Sequence, residues 1–166
     1  QMTQGHTVTQ ESLLDFVIKL QSDKKIILGI CFGHQIIAQA LGGRVVKNNK
    51  GWELGSYNIS LTEAGKKNQL FEGIIENDVV YESHQDTVIS LPPDAVELAY
   101  TTKSNQSFCI GSNIFGVQFH PEFSYDVTRR LMDIRLKRGI KIDNAVLSKS
   151  INGNKILTNF VNIINS

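Results

Sequence analysis

The stretch Ile26-Ile27-Leu28-Gly29-Ile30-Cys31-Phe32-Gly33-His34-Gln35 constrains this chain more than any other. Its short, continuous apolar run suits a strand buried on both faces, as in a parallel sheet. The run passes directly into residues 34–41, where Ile36, Ile37, Ala38, Ala40 and Leu41 read as a buried helix that Gly42-Gly43 stops. At the junction a cysteine stands between Gly29 and Gly33, the thiol form of a nucleophile elbow. Such a turn is expected to leave no room for side chains at the flanking glycines. The helix that follows would direct its N-terminal N–H groups and positive dipole end at the sulfur, favouring thiolate. The N–H of Phe32 would face the oxyanion of a tetrahedral intermediate. The bland alternative is a buried structural cysteine in a glycine-flanked turn.

The rest of the chain supplies α/β grammar. Residues 12–21 have helical spacing (Leu13, Leu14, Val17, Ile18, Leu20) behind an N-cap at Thr9-Gln10-Glu11, and residues 44–47 read as a short strand. Short strands are expected over 52–61, 79–82, 96–101, 107–110 and 114–119, with a hairpin turn at Ser112-Asn113 and a loop at Pro92-Pro93-Asp94. Helices are expected over 125–138 and, after Asn152-Gly153-Asn154, over 155–164. The predicted fold is a doubly wound, mostly parallel central sheet with helices on both faces and an antiparallel edge.

Composition excludes several classes. The chain has 166 residues and a net charge of +1, with its basic residues dispersed, so no nucleic-acid footprint shows. The locally basic Arg129 to Arg138 stretch also carries Leu131, Met132, Ile134 and Leu136 and reads as an amphipathic helix. No apolar run reaches the roughly 18–20 residues of a membrane span. Two cysteines are too few for a disulfide framework, and no signal peptide shows, which makes a cytoplasmic, reducing location the expectation. Cys109, within a strand pattern, reads as a small buried hydrophobe.

A thiol nucleophile needs a base and a group that orients the base. Of the four histidines, His6 lies in a polar segment, His34 at the helix start and His84 in a loop, where each has an ordinary structural reading. His120 follows the apolar run 114–119 and precedes Pro121-Glu122. In extended backbone, positions i and i+2 face the same side, so Glu122 can accept from one ring nitrogen of His120 while the other faces the sulfur.

Taken together, residues 29–35 and Gly116-Val117-Gln118-Phe119-His120-Pro121-Glu122 closely resemble the class I (triad) glutamine amidotransferases. Ala40-Leu41-Gly42-Gly43 and Ser83-His84-Gln85-Asp86 agree, and Gly51-Trp52-Glu53-Leu54-Gly55 resembles the stand-alone, GMP-synthase-like members. The resemblance implies Cys31 as nucleophile, His120 as base and then acid, and Glu122 as its orienter. Phe32 would supply an oxyanion N–H, Gln35 would hold the substrate, and the backbone at Gln85 and Asp86 would clasp its α-amino and α-carboxylate groups. The implied reaction releases ammonia from glutamine through a glutamyl thioester, without metal or organic cofactor. The domain would either deliver the ammonia to a separate synthase protein or act alone, and neither nucleic acid nor membrane is an expected partner.

The resemblance also implies one or two strands and a helix ahead of residue 12, one of which supplies a second oxyanion N–H. Only 11 residues stand there, so the expectation is one amidotransferase-like domain over 1–166, N-terminally incomplete. A missing oxyanion donor typically costs about 10²–10³ in turnover. Two alternatives stay open on the same fold: a cysteine peptidase that cleaves γ-glutamyl peptides, and a non-catalytic regulatory module.

Overall fold

The computed structural model describes residues 2–144 and 146–166, with side chains from Gln10 onward. Helix α1 (Met2–Ser22) leads into strand β1 (Ile27–Ile30), and helix α2 (Phe32–Ala40) starts immediately after Cys31. Strands β2 (Arg44–Lys47), β3 (Glu53–Asn58) and β4 (Ser60–Leu61) follow, then helix α3 (Glu63–Lys67) and a 3-10 turn at Gln69–Phe71. Next come β5 (Val79–His84), β6 (Asp86–Ser90), β7 (Val96–Tyr100), β8 (Asn105–Ile110) and β9 (Ile114–Val117), and the chain ends in α4 (Tyr125–Lys137) and α5 (Lys155–Ile164).

The central sheet has the order β1-β9-β8-β7-β4, and two antiparallel ribbons, β2-β6 and β3-β5, stand beside it. Strand alternation divides the core between the two faces of the sheet. Ile114 and Phe108 turn toward α1 and α2 and pack with Val17, Ile36, Ile37 and Val88. Their neighbours Phe115, Val117 and Cys109 turn the other way, onto Leu70, Phe71, Ile156 and Ile163. Cys109 is thus the buried hydrophobe that its strand context implies. A third cluster, Leu54, Tyr81, Met132 and Leu147, seats α4 on the β3-β5 ribbon.

The α/β class, the helices on both faces and the antiparallel edge are as expected, and the central sheet is mixed. Among the described residues β1–β9 is its parallel pair, while β9-β8, β8-β7 and β7-β4 are antiparallel. The antiparallel part therefore extends further inward than an edge. Turns at 101–104 and 111–113 join β7 to β8 and β8 to β9, and a connection that short permits only antiparallel neighbours.

Other boundaries differ too. Helix α1 runs through residues 9–11, where an N-cap was expected, because extending an existing helix adds a hydrogen bond for each residue ordered. The single strand expected over 52–61 is two, β3 and β4, which pair in different sheets around the buried Ile59. Strand β6 and helix α3 lack a clear sequence period. Helix α3 is recognisable by its cap, where Thr62 Oγ1 accepts from the N–H of Gly65 at 3.0 Å.

Candidate active site

The parallel register places the site. Ile30 pairs with Val117, and the N–H of Cys31 donates to Val117 O at 2.8 Å. Cys31 and Gln118 therefore leave the carboxyl ends of adjacent parallel strands side by side, where ligands bind in open α/β sheets. His120, just beyond, is anchored to the neighbouring ribbon through its N–H, which donates to Tyr81 O at 2.9 Å.

Cys31 has φ 53° and ψ −101°, a conformation that costs a non-glycine residue about 1–3 kcal/mol. The flanking glycines differ from one another. A Cβ on Gly29 would lie 2.6 Å from the backbone C and O of Gly33 and from Ile37 Cδ1, so no side chain fits there. A Cβ on Gly33 meets nothing within 4 Å, so the steric expectation for that position is not met: the helix turns its α-carbon outward.

The expectation of a favoured thiolate is also corrected. Burial pushes the Cys31 thiol up to about 11, helped by the charges of Glu82 and Glu122; the Phe32 N–H and the Gln118 amide pull the other way and lose. Desolvation outranks a short helix end here. Among the described residues the side-chain hydrogen bond to Sγ comes from Gln118 Nε2, at 3.6 Å, and none joins the sulfur to the His120 ring.

His120 and Glu122 do meet. Nδ1 donates to Glu122 Oε2 at 2.8 Å, which leaves Nε2 free to accept a proton. The ring also stacks on Phe123, with centroids 4.0 Å apart and planes 2° from parallel. Cys31, Phe32, Gln35, Gln85 and Asp86 line one open cleft of about 270 Å³ together with Trp52 and His84, while His120 lines the neighbouring depression beside Tyr81 and Phe123. Phe32 is exposed; Gln35 is buried, its Nε2 donating to Asp86 O and Gln118 Oε1, both at 3.1 Å. The carbonyls of the expected substrate clasp already carry protein donors. Gln85 O accepts from the Asn48 N–H at 2.9 Å, and Asp86 O accepts from His84 as well as Gln35. The Asp86 side chain remains exposed.

Beneath the cleft lies a charged group that sequence reading missed. His84 Nε2 is 2.9 Å from Glu53 Oε1 and 3.3 Å from Glu82 Oε1, and all three side chains are buried. Burial alone would lower the His84 pKa, but its contacts with Glu53 and Glu82 carry it to about 10. Glu53 is also buried, yet His84, Ser104 and Thr101 hold its carboxyl below the ordinary range. Burial, then the Glu53 charge, pushes Glu82 up to about 8, and neither of its oxygens has a hydrogen-bond partner. Donor atoms of the three lie within 4.8 Å of one another, a spacing that suits a cation. The charge of His84 occupies that role, because Glu53 is already surrounded by hydrogen-bond donors.

Two further features of the sequence are signals that alternation alone could have raised. Gln118 is an amide inside the otherwise apolar run 114–119, and Glu82 and His84 are i, i+2 partners on β5. His34, by contrast, is structural: it is fully buried, and Nε2 bonds to Asn105 Oδ1 at 2.8 Å. His6 lies outside the residues whose side chains are described. No helix among the described residues is long and apolar enough to cross a membrane.

Comparison with known proteins places this chain in a family. The description "Glutamine amidotransferase class-I" matches residues 5–133. Gamma-glutamyl peptidase 4 of Arabidopsis thaliana is 37% identical over 142 residues, covering 83% of this chain and 57% of that protein. The glutamine-hydrolyzing GMP synthase of Pyrobaculum aerophilum is 35% identical over 108 residues, covering 65% of this chain and 20% of that protein. The chain spans about half the length of the gamma-glutamyl peptidases it matches. Among solved structures, a glutamine amidotransferase from Thermotoga maritima superposes with a TM-score of 0.77 at 24% identity, covering 94% of this chain and 70% of that one. Another, from Methylobacillus flagellatus, gives 0.68 at 21% identity, over 93% of this chain and 64% of that one, and both share the fold. With the family description covering most of its length, this chain belongs to the class-I glutamine amidotransferases.

Proposed function

We propose that this chain carries the catalytic residues of a γ-glutamyl amide hydrolase whose substrate is glutamine. One observation carries the reading. A strained cysteine stands between β1 and α2, and just past the end of β9, the strand paired parallel with β1, comes a histidine already oriented by a carboxylate. His120 Nε2 takes the Cys31 proton as Sγ attacks the side-chain carbonyl carbon. General-base removal is required because the resting group is a thiol. The oxyanion meets the Phe32 N–H. His120 then protonates the leaving nitrogen, ammonia departs, and water hydrolyses the glutamyl thioester. Gln35 and the Asp86 carboxylate hold the amino-acid end, and a separate synthase is the partner that would use the ammonia.

The cleft of about 270 Å³ is smaller than the roughly 300–1,000 Å³ of sites for drug-sized ligands, a size that suits a single amino acid. A second reading, cleavage of γ-glutamyl peptides, draws support from the names of four relatives, gamma-glutamyl peptidases 2 to 5 of Arabidopsis thaliana. Both reactions share the γ-glutamyl thioester and differ in the leaving amine. Purified protein and its Cys31→Ser variant, given glutamine or a γ-glutamyl dipeptide, separate them. Ammonia from glutamine, lost in Cys31→Ser, is the expected result. Amine release from the dipeptide alone would select the peptidase, and inertness toward both, with no thioester adduct by mass spectrometry, would leave a binding module.

A further inference from the structure

The Glu53–His84–Glu82 group is joined to the nucleophile by an unbroken series of hydrogen bonds, and donor–acceptor logic fixes its direction. Asp86 O only accepts. His84 Nδ1, 2.7 Å away, must therefore carry a proton, and so must the Gln35 atom 3.1 Å away, which makes it Nε2. The second N–H of that Gln35 amide faces Gln118 at 3.1 Å, so the Gln118 atom there is Oε1. The remaining end of the Gln118 amide, its NH₂ group, is then the end that reaches Cys31 Sγ. At the far end, Glu53 accepts from Thr101 Oγ1 at 2.6 Å and from Gln106 Nε2 and His84 Nε2 at 2.9 Å. A carboxylate so surrounded is ionised, and His84 is protonated at both nitrogens.

We propose that His84 is a positioning residue: held as an imidazolium by Glu53, it pins Asp86 O and thereby sets the polarity of the two glutamine amides beside the nucleophile. Gln118 then offers Sγ a donor rather than a lone pair, which stabilises the sulfur as its negative charge develops. Gln35 spends both N–H groups on protein acceptors and keeps Oε1 for the cleft, as an acceptor for an amide or ammonium N–H of the substrate. This rests on Cys31 being the nucleophile, but the test reads the thiol itself and needs no turnover.

The test is the rate of Cys31 alkylation by iodoacetamide across pH, read by mass mapping so that buried Cys109 does not contribute. His84→Asn retains a donor where Nδ1 stood; His84→Gln retains one where Nε2 stood and loses the contact to Asp86 O. The expected result is a fall of about tenfold in His84→Gln, the order of one hydrogen bond to a charged group, and a rate within about twofold of the parent in His84→Asn. Gln118→Met, which leaves the charged group intact, should also fall about tenfold, and adding His84→Gln to it should change nothing further. Equal losses in the two His84 variants, or additive losses in the double variant, would overturn the proposal. Should the His84 variants not fold, Gln118→Met decides alone, and an unchanged alkylation rate would overturn it. A silent ammonia assay with this alkylation pattern intact would count against glutamine as substrate and leave the positioning role standing.

Discussion

At the scale of single residues, Glu122 sets the state of the His120 ring. Glu122 holds Nδ1–H at 2.8 Å and so fixes the tautomer in which Nε2 is basic. Glu122→Gln keeps the shape but offers the ring an acceptor without charge. Steady-state kinetics should show kcat lower by about 10²–10⁴ with KM little changed. A fall in kcat/KM carried by KM alone would mean that Glu122 binds substrate instead. The residues of this pair are neighbours in sequence, and their pairing was legible for that reason. Gln118 was not singled out, because its meaning depends on what stands beside it across the sheet, and one amide in an apolar strand has no local partner to announce it.

At the scale of the elements, the β1–α2 junction stores strain in Cys31 and relies on Gly29 for its closeness. Gly29→Ala drives a Cβ into backbone atoms of Gly33 at 2.6 Å, where no flexible side chain can yield. It should lower stability by about 1–3 kcal/mol in denaturant titration. Gly33→Ala meets open space and has a negative φ, so its midpoint should shift little or rise slightly, since alanine suits a helix better than glycine. A loss at Gly33 equal to that at Gly29 would show that the turn is tighter than described. The G-x-C-x-G spacing identified the elbow but could not assign different duties to its two glycines, because that depends on how α2 departs from β1.

At the scale of the whole molecule, buried titratable groups give stability a direction with pH. Glu82 ionises at about 8 when folded against an ordinary 4.5, and His84 at about 10 against 6.5. In each interval the folded protein holds a proton that the unfolded chain has released, so stability falls as pH rises. The contribution of His84 is complete below 6.5 and gone once pH passes about 10; Cys31, at about 11 against 9.0, acts in the same sense at higher pH. His34, lowered by burial to about 4, acts oppositely, costing stability as pH falls below 6.5. The melting temperature should therefore decline steadily from pH 6.5 to 10. Glu82→Gln should make this decline shallower below about pH 8, where only the part due to His84 remains, and leave its slope above pH 8 little changed. A melting temperature that stays level over that range would show that the group is not buried as a charged unit.

What the sequence determined by itself was local: an apolar strand running into a helix through a glycine-flanked cysteine, and a histidine and a carboxylate two residues apart in extended backbone. These patterns carry their geometry within a few bonds, so reading them requires no tertiary information. Only the folded structure decided what the cysteine experiences. Its burial outweighs the helix end and keeps the thiol protonated. Residues as distant as Glu53, His84, Gln35 and Gln118 are brought together beside the cleft by strand pairing and by the packing of α2 on the sheet. The physical reason is that desolvation and hydrogen-bond direction are properties of the space a residue shares, and that space is set by register and packing rather than by neighbours along the chain.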